Sequence, residues 1–249
     1  MLPGWISSVT YVKIATWITI PCPHNAEGRM DKAMWDRIAA AGGIIGVVLF
    51  VIAIFIYGEQ PRTNANAESV ANFFQDNRDQ VLWALFLQGL GLVAVIWFIG
   101  ALGAAMRDAG EGRLAAVMGI AFAITVSVAG TAALVRGSLA FSIAADADPG
   151  NAQSLFQLSG YMDNASNVIA AGFYLAVAGA VVRTGLINTW WGWASGLIGI
   201  WAIVSSTAWN RDGIWSPDEA GLVSFIVFLV WVLITSILLT MRAVRATPA

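Results

Sequence analysis

Residues Ile38–Tyr57 read IAAAGGIIGVVLFVIAIFIY, 20 residues without a charge. A helix needs about 20 predominantly apolar residues to cross the hydrocarbon of a bilayer, at ~1.5 Å of rise per residue. This run meets that length with every face apolar, so lipid rather than water is its solvent. Five further segments have the same character: Val81–Met106, Leu114–Val135, Ala165–Val182, Leu186–Thr207 and Gly221–Met241. The six runs fill about half of the 249 residues, and the gaps between them are too short for a separate soluble domain. The expected fold is all-α, a polytopic transmembrane helix bundle of six spans over residues 35–245. It is flanked by an N-terminal segment, 1–34, and a short tail, 246–249.

Composition agrees. The hydrophobic set makes up 58% of the chain, charged residues make up 11%, and mean hydropathy is +0.73. Soluble domains carry about 25% charged residues, so a soluble enzyme is excluded as a class. The net charge of −2 offers no basic surface for nucleic acid. Cys22 is the only cysteine and His24 the only histidine. One chain therefore forms no internal disulfide, zinc site or bis-histidine haem site.

Cations set the sidedness. With the N-terminus inside, Arg29, Lys32, Arg37, Arg107, Arg113, Arg183, Arg242 and Arg245 are cytoplasmic, against Arg62, Arg78, Arg136 and Arg211 outside. Both termini are thus expected inside, in a bacterial plasma membrane. Tyr57, Trp83, Tyr161, Trp209 and Trp215 mark the outer interface, and Trp35, Trp190, Trp191 and Trp193 the inner one. Trp97, Trp201 and Trp231 lie deeper, as packing residues. Trp5–Ile20 contains Lys13 and is short for a span, and Pro21 and Pro23 follow it. Residues 1–34 read either as an interfacial segment or as upstream sequence ahead of a natural start at Met30 or Met34. Asn64–Gln80 (NANAESVANFFQDNRDQ) puts Val70, Phe73 and Phe74 at helical spacing and predicts a short amphipathic helix on the outer surface. Ala144–Asn151 reads as a turn and Ala152–Tyr161 as a second short surface helix.

Small residues recur four apart at Gly42 and Gly46, at Gly172, Ala176 and Ala180, and at Gly192 and Gly196. Such faces let helix backbones approach closely in lipid, either between copies or, the favoured reading, within the bundle. Polar residues concentrate toward the outer half. Asp163, Asn167, Ala170 and Tyr174 form one stripe of a helix, with Tyr174 ~16 Å along from Asp163. Arg136 ends the preceding span at the same side, and Gln88 lies two turns into the second span. Ser127 and Thr131 share a face, and Ser205, Ser206 and Thr207 close the fifth span. Polar groups in hydrocarbon need partners or water. The stripe is therefore either a set of interhelical hydrogen bonds with an interfacial ion pair or the wall of an outward-facing cavity. No charged relay crosses the core, which weighs against proton pumping and cation-coupled transport. No GxxxxGK[ST], HExxH or GxSxG motif is present, so no catalytic residue is assigned and no metal ion or cofactor is implied.

Arg183–Trp193 (RTGLINTWWGW), the run Glu68–Asp79 and Asp163–Asn167 resemble elements of a group of uncharacterised six-helix multi-pass membrane proteins of actinobacterial type. The likeness extends over residues 36–245 as a hydropathy and loop pattern, with Asn188 where that group's usual turn has Pro. It implies a six-helix bundle in the plasma membrane and carries over no catalytic residue. The expected function is to bind a lipid or small apolar ligand in the outer half of the bundle, or to serve as an accessory component of a membrane assembly. Gln88, Arg136, Asp163, Asn167 and Tyr174 are the candidate ligand-binding residues. Membrane lipid is the expected partner, together with further copies of the chain or a larger membrane complex; nucleic acid is not one. The alternatives are a small-solute transporter or channel, and a membrane enzyme acting on lipid at the outer interface with Asp163 as general base.

Overall fold

The computed structural model describes residues 26–146, 148–208, 210, 213 and 215–245. Most of the N-terminal segment, the tail 246–249 and the expected anchor Trp209 lie outside them. Among the described residues every regular element is a helix: α1 (Ala26–Tyr57), α2 (Ala67–Asp76), α3 (Arg78–Asp108), α4 (Gly112–Ser138), a π-helical stretch (Leu139–Ile143) leading into the single turn α5 (Ala144–Asp146), α6 (Pro149–Thr184), α7 (Thr189–Ser205) and α8 (Pro217–Arg245). Five segments are long and apolar enough to cross a membrane: Arg37–Tyr57, Arg78–Asp108, Gly112–Ile143, Pro149–Thr184 and Pro217–Arg242. The run Leu186–Thr207 forms a shorter helix, α7, of 17 residues. Gly185, at φ +63°, ends α6 in the left-handed conformation that glycine tolerates best, and α7 begins only after Asn188.

Local signals set the other ends. Asn66 caps α2, its side chain accepting the amide of Ser69 at 2.8 Å. Asp148 caps α6 by accepting the amide of Gly150 at 2.8 Å, with Pro149 opening the helix. The surface helix expected at Ala152–Tyr161 is instead the first part of α6. Polar composition there means exposure on one side, not a break, and Pro149 starts a helix rather than interrupting one.

In space the long helices follow one another as α1, α3, α4, α6, α7, α8 and back to α1, with α6 also reaching α8. The seam α1–α3 is closed by glycine: a Cβ at Gly42 would lie 2.6 Å from the carbonyl oxygen of Ala94, and one at Gly46 2.9 Å from that of Gly91. Gly192 sits against Val181 and Val182, and Gly196 against Ala178. The small-residue faces thus serve contacts within the chain, where close backbone approach brings dispersion without a hydrophobic drive. Between α7 and α8, Trp191 Nε1 donates to Thr235 Oγ1 and Trp231 Nε1 to Ser195 Oγ, both at 2.9 Å. Trp97, expected as a packing residue, is 61% exposed.

The half of the bundle at the α3–α4 and α6–α7 connections, termed inner for its expected side, is filled. Trp231 is fully buried, with Phe98, Phe173 and Tyr174 edge-on around it at centroid distances of 6.3, 5.1 and 5.4 Å. Leu102, Met106, Met118, Val177 and Val181 complete this core. A second cluster, with Val70, Phe74, Val81, Leu139 and Phe156, seats α2 on the outer end.

Candidate functional site

Above the aromatic floor the helices do not meet, and a cavity of about 1440 Å³ remains between α1, α3, α4, α6, α7 and α8. Its lower wall is apolar, with Phe50, Phe122, Phe173, Phe225 and Phe228 contributing. Its outer end is polar. Gln88, Arg136, Asp163, Asn167 and Tyr174, from three helices, all line this one space.

Arg136 stands in the last turn of α4 and Asp163 nearly four turns into α6, which brings them side by side. A guanidinium nitrogen of Arg136 pairs with Asp163 Oδ2, and Arg136 Nε donates to Ser159 Oγ at 3.2 Å. Ser159 is fully buried and donates to the carbonyl of Phe156 at 2.7 Å. Arg136 is thus held from two sides, with its side chain 18% exposed against 36% for Asp163. Asn167 and Tyr174 follow Asp163 down the same face, Tyr174 ending in the floor.

The polar stripe is not used up by bonds between helices. Thr125, Ser127 and Thr131 each donate to the carbonyl four residues back in α4 at 2.8 Å. Asn167 Nδ2 is buried and has no hydrogen-bond partner among the described residues. The Tyr57 hydroxyl is in the same state, in a residue only 4% exposed that also lines the cavity. A buried donor without a partner costs about 1–3 kcal/mol, so these two groups are open to a hydrogen bond with water or a ligand.

Tyr57 corrects its reading as an interfacial anchor. It closes a span, but its ring stacks on Phe73 of α2 and turns inward. Trp201 also lines the cavity, tied through Nε1 to Ser224 Oγ at 3.2 Å. Ser159 was hidden by the expectation of a separate surface helix. The segment 58–66, whose last three residues were expected in the amphipathic helix that starts only at Ala67, straps the outer end: Thr63 donates through both its amide and its hydroxyl to Asp218 at 3.0 Å, Gln157 donates to the Thr63 carbonyl at 3.0 Å, and Arg62 lies 3.8 Å from Glu219. The cavity lining carries four carboxylates, Glu59, Asp163, Asp218 and Glu219, against the two guanidiniums of Arg62 and Arg136. Among the described residues, no group of three His, Cys, Asp or Glu side chains could hold a metal ion.

Comparison with protein-family models, curated proteins and solved structures gives no match to this chain.

Proposed function

We propose that the protein is a six-span integral membrane protein of a bacterial plasma membrane, with both ends cytoplasmic, and that it binds an amphiphilic lipid in the outer half of its bundle. Eight cations against four support the sidedness. A crossing by α7 is supported by its ~25 Å length, at the lower limit for a span. Its pairing supports it too. One end of α7 reaches Thr235 on α8 through Trp191, and the other reaches Ser224 through Ser205, so it lies antiparallel along about 16 Å of its neighbour.

The observation that carries the binding reading is the pairing of an apolar cavity with unpartnered polar groups at its outer end. At about 1440 Å³ it exceeds the ~1,000 Å³ upper range of pockets for small molecules, leaving room for a chain. A lipid tail that leaves the bilayer for this cavity exchanges one hydrocarbon for another, so the chain contributes little affinity. Discrimination then falls to the head. Arg136 would take a phosphate, Asn167 and Tyr57 would donate to ester or phosphate oxygens, and the surplus carboxylates would favour an ammonium and disfavour an anionic head. The packed floor of Phe98, Phe173, Tyr174 and Trp231 speaks for a closed site and against a path through the bundle.

The test is to purify the chain gently from its membrane, beside Ala170→Trp, and identify the retained lipid by mass spectrometry. Ala170 lines the cavity, and an indole there occupies the site. The wild type is expected to retain a zwitterionic phospholipid above its share of the membrane, and the variant to lose it about tenfold at similar melting temperature, a change worth ~1.4 kcal/mol. Lipid in bulk proportions on the wild type, or equal retention by both proteins, would overturn the proposal.

A further inference from the structure

Five of the six seams around the cavity are stitched by side chains or by close backbone packing. Glycine closes α1–α3. The edge-on rings of Phe50 and Phe225, 5.7 Å apart, close α1–α8. Arg136 with Asp163, and Phe122 with Phe173 at 5.9 Å, close α4–α6. Gly199 against Leu175 closes α6–α7, and Trp201 with Ser224 closes α7–α8.

The seam between α3 and α4 differs. The two helices touch near the outer end, where a Cβ at Gly137 would lie 3.2 Å from Leu85 Cδ1. They touch again toward the inner end, where a Cβ at Gly103 would lie 3.3 Å from Met118 Cε. Between those points, no hydrogen bond or ring pair joins them among the described residues. A Cβ added at Gly89 on α3 or at Gly130 on α4 would meet nothing within 4 Å. Both glycines line the cavity. Leu134, one turn beyond Gly130, lines it as well and is 72% exposed. A side chain that faces the cavity and the exterior at once marks an opening.

We infer that the gap between α3 and α4 at Gly89 and Gly130 is a lateral window through which the acyl chain of a bilayer phospholipid passes from the membrane into the cavity. The inference rests on the binding reading above and adds the route, and with it the ligand class: a molecule already dissolved in the bilayer, not a solute arriving from water. Gln88, beside Gly89, stands where a head group moving along the window would pass. Glycine at both positions leaves the window clear: a single added Cβ still meets nothing within 4 Å, whereas a large side chain at either position would project into the gap.

The experiment uses the full chain in phosphatidylcholine vesicles. A phosphatidylcholine carrying a diazirine at the end of one acyl chain is delivered from donor vesicles, the sample is illuminated after a short incubation, and adducts are mapped by mass spectrometry. Wild type, Gly130→Ala, Gly130→Trp and Gly89→Trp are compared. Label on Phe122 and Phe173 reports the interior, and label on the exposed Trp97 reports contact with bulk lipid. Interior label is expected to fall about tenfold in both tryptophan variants, a barrier rise of ~1.4 kcal/mol, while Gly130→Ala keeps it and Trp97 is labelled equally in all four. Two variants from opposite walls guard against the misfolding of either. Undiminished interior label in both tryptophan variants would overturn the window while leaving the binding site standing. Absence of interior label in the wild type would overturn the binding reading itself.

Discussion

Arg136→Ala is expected to weaken retention of the bound amphiphile by one to two orders of magnitude, a loss of about 1.4–2.8 kcal/mol. Arg136 is the cavity-lining cation held inside the bundle, paired with Asp163 and bonded to Ser159. The acyl chain contributes little net affinity in lipid, so the polar end carries the difference. The same substitution leaves Asp163 uncompensated among buried neighbours. Breaking a fully buried pair costs about 3–5 kcal/mol, but Asp163 keeps 36% of its side chain exposed, so about 1–2 kcal/mol is expected here. The two effects separate in the double variant Arg136→Leu/Asp163→Leu. Removing both charges should restore the melting temperature, because an apolar pair replaces an ion pair at little cost. It should not restore the lipid. Recovery of both by the double variant would show that Arg136 acts on the fold alone.

The second large effect is on stability. Gly42→Leu is expected to cost about 3 kcal/mol, at the upper end of what overpacking imposes. Its Cβ would lie 2.6 Å from the carbonyl oxygen of Ala94, and this neighbour is backbone, which cannot rotate away. The helices α1 and α3 would have to separate, and the cavity wall formed by Phe50 and Gln88 would go with them. Gly119→Leu is the matched control, since a Cβ at Gly119 meets nothing within 4 Å. Thermal unfolding in detergent should place Gly42→Leu well below the parent and Gly119→Leu beside it. Coincident transitions for the two variants would contradict the close packing of α1 on α3.

Much of this arrangement is legible in the residues because the bilayer imposes strict lengths. Ile38–Tyr57 and Gly221–Met241 have few alternatives to a long apolar helix. The stripe Asp163, Asn167, Tyr174 is legible for a related reason, since a 3.6-residue period puts those positions on one face wherever the helix lies. What that period does not say is which way an all-apolar helix turns. Tyr57 ends such a helix, and nothing in its neighbours distinguishes a ring facing lipid from one facing α2. Trp97 shows the same limit in the other direction: its depth along the helix points to packing, yet it is exposed. The N-terminal part of α6 is legible as a helix but not as one continuous with the span, because Gln153 and Gln157 serve tertiary bonds to the carbonyls of Ala65 and Thr63 that no local pattern encodes. The π-helical stretch Leu139–Ile143 has no local marker either. The cavity is a consequence of where helices fail to touch, and single-helix periodicity carries no information about that.

Accessibility of single cysteines to a membrane-impermeant maleimide on intact cells tests the architecture on which the site depends. In a Cys22→Ser background, Glu59→Cys, Gly112→Cys, Asn188→Cys and Asn210→Cys probe four connections exposed at the ends of the helices. Six crossings predict labelling at 59 and 210 from outside, and at 112 and 188 only after the membrane is opened. Reaction of residues 188 and 210 from the same face would remove α7 from the membrane-crossing set, and the closed ring around the cavity with it.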